Sequence, residues 1–135
     1  MSRRLASLAI LAAVALPFVV GCQFLVFKIC VKNQTEYYLD EFATKDAGAP
    51  TYPVGKIQNL APGNTAHVRC YQNGFYDIRA IFDVSDPSIC DDTVELLGVE
   101  IDSSNLCITY EVQAIETKGA SSCSEEIYAT LDYVL

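Results

Sequence analysis

The residues best able to do chemistry in this chain are its cysteines. The 135 residues include six cysteines and a single histidine, His67. No two cysteines have the Cys-x-x-Cys spacing of a redox centre. With one histidine, a structural zinc site would need a nearly all-cysteine ligand set, and the spacings of these cysteines are wrong for one. Disulfide bonds are therefore the expected chemistry. Cys90 and Cys123 occur in polar loops on either side of a strand pair, so we expect these two to bond with each other.

Three further cysteines, Cys30, Cys70 and Cys107, fall within predicted strands. Cys70 and Cys107 could bond with each other, or either could bond with Cys30, and one thiol is left over in each case. A leftover thiol acts as a nucleophile only with a lowered pKa and a neighbouring base. We expect instead a buried and unreactive thiol.

The second candidate for chemistry is an acidic segment, residues 83–92. Its four aspartates are Asp83, Asp86, Asp91 and Asp92. Loop carboxylates at one end of a sandwich can converge on Ca²⁺, which takes six to eight oxygen ligands. The spacing is not that of an EF-hand, however, and aspartate also favours turns by accepting hydrogen bonds from its own backbone. We expect a solvated acidic loop without a metal, and keep a calcium site as the alternative.

His67 alternates with Ala66 and Val68 along a predicted strand, and so points to the opposite face. A catalytic role would require a nearby nucleophile and a carboxylate that orients the ring. Nothing in the spacing supplies either group, so we expect an exposed surface histidine and predict no catalysis and no cofactor.

The apolar content of 51% is concentrated at the amino terminus. A short cationic stretch, Met1 to Arg4, precedes an apolar stretch from Leu5 to Val20, and Val19-Val20-Gly21-Cys22 follows. This arrangement resembles a bacterial lipoprotein signal peptide, which has an aliphatic residue, a tolerant position, a small residue and then an obligatory cysteine. Residues 1–21 are accordingly predicted to be a hydrophobic signal helix.

The resemblance implies cleavage before Cys22, lipid on its sulfur and an acyl chain such as palmitate on the new amino terminus. Several acyl chains together give stable membrane attachment. Gln23 would fit sorting to the outer membrane in a host with two membranes. Two alternatives stay open, an uncleaved signal-anchor helix and simple secretion. All three place the domain outside the cytoplasm, in the cell envelope or beyond.

Residues 22–135 are predicted to form one domain, because most of this stretch alternates with period two rather than 3.6. About seven short strands separated by turns predict an all-β, antiparallel, two-sheet sandwich of immunoglobulin-like type. Ala61-Pro-Gly-Asn64 is a strong turn, Gln72-Asn-Gly74 is typical of a hairpin, and Gly98 suggests a bulge. A helix is the main alternative for the last segment, which contains Ala129 and Leu131.

Three short patterns resemble small extracytoplasmic bacterial sandwiches. They are Val31-x-Asn33-x-Thr35, Leu60-Ala-Pro-Gly63 and Tyr76-Asp-Ile-Arg-Ala80. These patterns shape turns and imply no particular activity. The formal charge of −8 argues against nucleic-acid binding, and loss of Arg3 and Arg4 with the leader makes the domain more acidic still. We therefore expect a membrane-anchored, non-catalytic binding or structural module; the alternative is a calcium-dependent binding module or small enzyme that uses residues 83–92.

Overall fold

Alternation of apolar and polar side chains produces strands along most of the chain. The computed structural model describes residues 27–102, 105–116 and 123–134, apart from the side chains of Phe27, Arg69, Cys70, Tyr71 and Val134. These residues form eight strands and no helix, namely β1 (Phe27–Asn33), β2 (Leu39–Asp46), β3 (Ile57–Leu60), β4 (Thr65–Tyr71), β5 (Gly74–Phe82), β6 (Thr93–Ile101), β7 (Asn105–Ala114) and β8 (Glu125–Val134).

The strands form two four-stranded sheets. The first sheet has the order β4-β1-β7-β8, and the second sheet has the order β3-β2-β5-β6. Their inner faces enclose one core, so the prediction of an all-β, two-sheet sandwich is confirmed. The predicted signal helix lies outside the described residues.

The core is built from the inward-facing residues of both sheets. Leu106, Ile108 and Tyr110 of β7 are fully buried, and the Tyr110 ring meets Phe82 edge to face with 5.4 Å between centroids. Each large apolar side chain removed from water in this way contributes about 1.5–3 kcal/mol. The same apolar residues that gave the alternating pattern therefore hold the two sheets together.

Three details of the sequence prediction were wrong. There are eight strands rather than about seven, because β3 is a four-residue edge strand whose half-exposed residues do not alternate. The sheets are not wholly antiparallel, since β1 and β7 run parallel. Gln72-Asn-Gly74 does not close a hairpin, because β4 pairs with β1 in the first sheet while β5 belongs to the second.

The strand order also differs from that of an immunoglobulin constant domain. That domain has seven strands, four in one sheet and three in the other, with the first strand beside the second. Here β1 lies between β4 and β7 and shares no sheet with β2. The agreement with the immunoglobulin-like prediction is limited to two stacked β-sheets.

Other local predictions are confirmed. Asn64 N–H donates to the Ala61 carbonyl at 3.1 Å, and Gly63 has a φ of 81°, as a turn with glycine at its third position requires. Gly98 has a φ of 64° and lies opposite a register shift in β5, which is the predicted bulge. The segment containing Ala129 and Leu131 is strand β8, paired along its length with β7.

Strand direction gives the sandwich two distinct ends. The odd-numbered strands start at one end, which we call the near end, and the even-numbered strands finish there. The start of β1 and the 47–56 loop lie at the near end. The connections 34–38, 61–64 and 83–92 and the loop residues 115–116 and 123–124 lie at the opposite end, which we call the far end.

Asn33 joins the two sheets at the far end. This fully buried side chain donates from Nδ2 to the carbonyls of Tyr37 at 2.8 Å and Leu60 at 3.0 Å. Its Oδ1 accepts from the backbone N–H of Thr35 at 3.1 Å and from the Thr35 hydroxyl at 2.7 Å. The side chain thus connects the end of β1, the β1–β2 connection and the end of β3.

Asn33→Asp should lower the free energy of unfolding by about 2–4 kcal/mol, because the carboxylate cannot donate and would face two carbonyl oxygens without water. Urea denaturation monitored by tyrosine circular dichroism measures this loss. Asn73→Asp makes the same chemical change at an exposed near-end position and should cost less than about 0.5 kcal/mol. Equal losses in the two variants would contradict the role assigned to Asn33.

Candidate functional site

The aspartates of the 83–92 connection mostly stabilise local turns at the far end. Asp86 Oδ1 accepts from the Ser88 N–H at 2.9 Å, and Asp91 Oδ1 accepts from the Thr93 N–H at 2.9 Å. Each bond spans two residues, which is the geometry of an aspartate turn. The Ser88 N–H is the main reason that the pKa of Asp86 lies below its ordinary value.

No three of the four aspartates converge on one point in this structure. Asp83 and Asp92 are exposed, and Asp92 accepts a hydrogen bond from the Thr93 hydroxyl at 3.0 Å. Nowhere in the described parts of the chain do three carboxylate, histidine or cysteine side chains converge as a metal site would require. Asp86 and Asp91 are thus engaged in turns, while Asp83 and Asp92 face solvent.

The predicted disulfide bond between Cys90 and Cys123 is present, with 5.1 Å between Cα atoms. Backbone hydrogen bonds beside the disulfide bond join the same two segments of the chain. Cys90 N–H donates to the Glu125 carbonyl at 3.0 Å, and Glu125 N–H donates to the Ser88 carbonyl at 3.0 Å. The acidic loop is therefore fastened to the start of β8.

The second disulfide bond joins Cys30 and Cys107, one of the pairings that the sequence left open. The two residues are direct partners in the parallel β1–β7 ladder, with 4.5 Å between Cα atoms. Two disulfide bonds indicate a domain that folds in an oxidising, extracytoplasmic compartment. Cys22 and the side chain of Cys70 lie outside the described part of the structure. Lipidation of Cys22 and a buried, unreactive thiol therefore stay predictions.

His67 is exposed, as predicted, and lies on the outer face of the first sheet. It is the β4 partner of Cys30, and together with Lys28, Asn105 and the Cys30–Cys107 bond it lines an open hollow of about 190 Å³. No carboxylate in the described residues accepts a hydrogen bond from its ring. The histidine therefore has no orienting acid of the kind found in a catalytic triad.

Sequence reasoning missed a buried carboxylate on the outer face of the second sheet. Asp77 in β5 accepts from Gly98 N–H at 2.9 Å and from Gly48 N–H at 3.0 Å, and Lys45 Nζ lies 3.7 Å away. These two backbone donors are the main reason that its pKa lies below the ordinary aspartate value. The only signal in the sequence was an aspartate in mid-strand, with no indication that two distant glycines would approach it.

The 47–56 loop covers this face and places Tyr52 between two cations. Lys45 Nζ lies 4.7 Å and Arg79 Cζ 4.5 Å from the centre of the Tyr52 ring. The Tyr52 hydroxyl donates to Glu95 at 2.8 Å, and Arg79 pairs with Glu41 at 3.0 Å. Burial, followed by the Glu95 contact, raises the pKa of Tyr52. Tyr52 thus holds its loop on the sheet instead of presenting a free ring.

A larger hollow of about 410 Å³ opens at the near end beside this loop, with Lys45, Lys56 and Tyr76 in its wall. Lys45 already binds the Ala49 carbonyl and faces Asp77. The Tyr76 hydroxyl donates to the Gln72 carbonyl at 2.8 Å. Lys45 and Tyr76 of this hollow are thus engaged with groups of the fold itself.

Comparison with known proteins adds no family to this description. No family model matches the chain, and no curated protein or solved structure matches it. No helix within the described ranges is long and apolar enough to cross a membrane. The function must therefore be inferred from the residues and the geometry.

Millimolar Ca²⁺ should leave the Tm of the protein unchanged, because the described aspartates bind their own turns. A ligand at one hundred times its Kd would stabilise the folded state by about 2.7 kcal/mol and raise Tm by several degrees. Thermal melts with Ca²⁺ and with a chelator measure this. A Tm that rises with Ca²⁺ concentration, and no longer does so after Asp91→Asn, would restore the calcium interpretation.

Asp77→Asn should destabilise the domain at pH 7 and have a smaller effect in acid. Because the folded-state pKa of Asp77 is depressed, its stabilisation is present above about pH 4, the ordinary aspartate value, and is lost as pH falls through the folded-state pKa. Thermal melts between pH 7 and pH 2.5 should show the wild-type and variant Tm values converging. Asp40→Asn, at an exposed position, should give no such convergence; a pH-independent gap for Asp77→Asn would contradict the prediction.

Proposed function

We propose that this protein is an extracytoplasmic lipoprotein, anchored to the membrane through acylated Cys22, whose β-sandwich is a non-catalytic binding or structural module. The observation that carries the proposal is Val19-Val20-Gly21-Cys22 directly behind an apolar stretch. The two disulfide bonds support export, since they persist in oxidising compartments.

The direction of β1 supports an orientation for the anchored domain. Only residues 23–26 separate Cys22 from the start of β1 at Phe27, and four residues span at most roughly 14 Å. The near end of the sandwich would then face the membrane. Strands of up to ten residues rise about 3.3 Å per residue, so the far end would lie roughly 30 Å farther out.

The charge of the far end fits this orientation. Its described loop residues are 34–38, 61–64, 83–92, 115–116 and 123–124, and they contain aspartate and glutamate but no lysine or arginine. Anionic lipid headgroups repel such a surface. The loops at the far end would therefore be presented away from the bilayer, on a rigid sheet scaffold of the kind that commonly carries binding loops.

A non-catalytic role is supported by what the two described hollows contain. One has His67 beside a disulfide bond, and the other has Lys45 and Tyr76, which bind groups of the fold itself. Neither brings a nucleophile and an oriented base together. The alternative, a calcium-dependent binding module or small enzyme that uses residues 83–92, has no comparable support because those aspartates form turns.

Replacement of Cys22 tests the anchor. The wild-type protein should appear in the membrane fraction without residues 1–21, with a lipid-modified amino-terminal peptide by mass spectrometry. Cys22→Ser should remove the lipid-modified peptide and leave the longer precursor, because the modified cysteine is what permits cleavage in the lipoprotein signal. Cys70→Ser changes another cysteine in the same way and should behave as wild type.

The two other leader types give different results. A signal-anchor would leave residues 1–21 on the wild type and on Cys22→Ser alike. Simple secretion would give cleaved chains without lipid in both cases. Either pattern would reject the lipoprotein proposal.

A further inference from the structure

Four directly paired residues form a row across the outer face of the first sheet. His67 on β4 pairs with Cys30 on β1, Cys30 pairs with Cys107 on β7, and Cys107 pairs with Asp132 on β8. Because residues at paired positions point to the same face, the disulfide bond lies between a histidine and a carboxylate. We call these residues the outer row.

The Cys30–Cys107 bond is open to solvent along one side. Both cysteines line the hollow of about 190 Å³ described above, with Lys28 and His67 in its wall. Cys107 is partly exposed, whereas Cys30 is only 4% exposed. An attacking group can therefore reach the sulfur of Cys107 more readily than that of Cys30.

The charges around the two disulfide bonds differ in sign. Lys28 and Lys32 flank Cys30 on the same face of β1, and His67 lies across from it, while Asp132 is the only acidic residue of the outer row. Thiol–disulfide exchange brings an anionic thiolate to the bond and releases another, so neighbouring cations favour it. This part of the first sheet is therefore suited to thiol exchange.

The Cys90–Cys123 bond is more exposed at Cys90 but has acidic surroundings. Asp91 and Asp92 follow Cys90 directly, and Glu125 lies two residues after Cys123. These carboxylates repel an approaching thiolate and disfavour a departing one. Exposure thus favours reduction of the Cys90–Cys123 bond, whereas charge favours reduction of the Cys30–Cys107 bond. We expect charge to have the larger effect on the rate.

The parallel ladder holds the strands at Cys30 and Cys107 without help from the sulfur atoms. Pairing between β1 and β7 runs from Ile29 with Leu106 to Asn33 with Tyr110, on both sides of the cysteines. The fully buried Ile29, Val31 and Ile108 pack beneath them. Loss of the sulfur–sulfur bond would therefore leave the first sheet assembled.

We propose that Cys30–Cys107 is a thiol-exchange site that an external dithiol reduces while the domain stays folded. This activity goes beyond the anchored module proposed above and does not depend on its lipid anchor. The structure assigns Cys107 as the sulfur attacked and Cys30 as the sulfur that leaves.

The exchange balances in two steps. One thiolate of the dithiol attacks Sγ of Cys107, the bond to Cys30 breaks, and Cys30 leaves with the electron pair and takes a proton from water. The second thiolate of the dithiol then attacks the dithiol sulfur that is bonded to Cys107. The bond between that sulfur and Cys107 breaks, and Cys107 leaves with the electron pair and takes a proton from water. The dithiol is oxidised to a cyclic disulfide, and the protein disulfide is reduced to two thiols.

Timed reduction of the purified protein with dithiothreitol, at neutral pH and low salt, tests the proposal. Samples quenched with iodoacetamide and digested report the alkylation of each cysteine by mass spectrometry, while tyrosine circular dichroism reports the fold. Cys30 and Cys107 should be alkylated at least about fivefold faster than Cys90 and Cys123, with the circular dichroism signal retained. Faster reduction of Cys90–Cys123, or loss of the signal in step with alkylation of Cys30, would overturn the proposal.

Charge variants test the cause of the selectivity. Lys28→Gln should slow reduction of Cys30–Cys107 by about twofold to threefold, and Asp132→Asn should speed it by a similar factor, because each changes one charge near the reacting sulfurs. Lys56→Gln removes the same charge from a loop of the second sheet and should leave the rate unchanged. Both effects should shrink in high salt. Equal rates in all variants would show that the basic surroundings do not direct the exchange.

Discussion

The buried amide of Asn33 is the interaction on which the rest of the sandwich depends. The chain leaves the first sheet at this residue and must cross to the second, and such a crossing takes backbone N–H and C=O groups out of both ladders. Asn33 donates to the Tyr37 carbonyl and accepts from Thr35 within this crossing, donates to the Leu60 carbonyl at the end of β3, and pairs through its own backbone with Gly63 and Asn64. One side chain thereby fixes where β1 ends, where β2 begins and where the β3–β4 turn lies.

The position of β1 in the first sheet determines the chemistry of the outer face. With β1 between β4 and β7, Cys30 faces His67 on one side and Cys107 on the other. The direction of the same strand places its first residue at the near end, beside any anchor at Cys22, and the acidic loops at the far end. The thiol-exchange proposal and the proposed orientation at the membrane therefore both depend on the placement of one strand.

The acidic residues show how far local reasoning reaches. Asp86 and Asp91 accept hydrogen bonds from residues two positions ahead, so their role as turn formers could be recognised from the sequence. Asp77 has the same side chain, but its donors are Gly48 and Gly98, which come from two other segments. No pattern around Asp77 indicates those partners, because they meet it only when the 47–56 loop folds over β5 and the β6 bulge pairs beside it.

The sequence by itself determined that strands predominate, where Gly63 and Gly98 turn the chain and that Cys90 could meet Cys123. These features depend on alternation, on backbone preferences and on the polarity of nearby loops, all of which are local. Only the tertiary structure decided that β1 runs parallel to β7, that Cys30 bonds with Cys107 and that residues 72–74 cross between sheets. These features depend on which strands are neighbours in a sheet. The backbone hydrogen bonds that join neighbouring strands are the same for almost any sequence, so the local sequence does not indicate the partner strand.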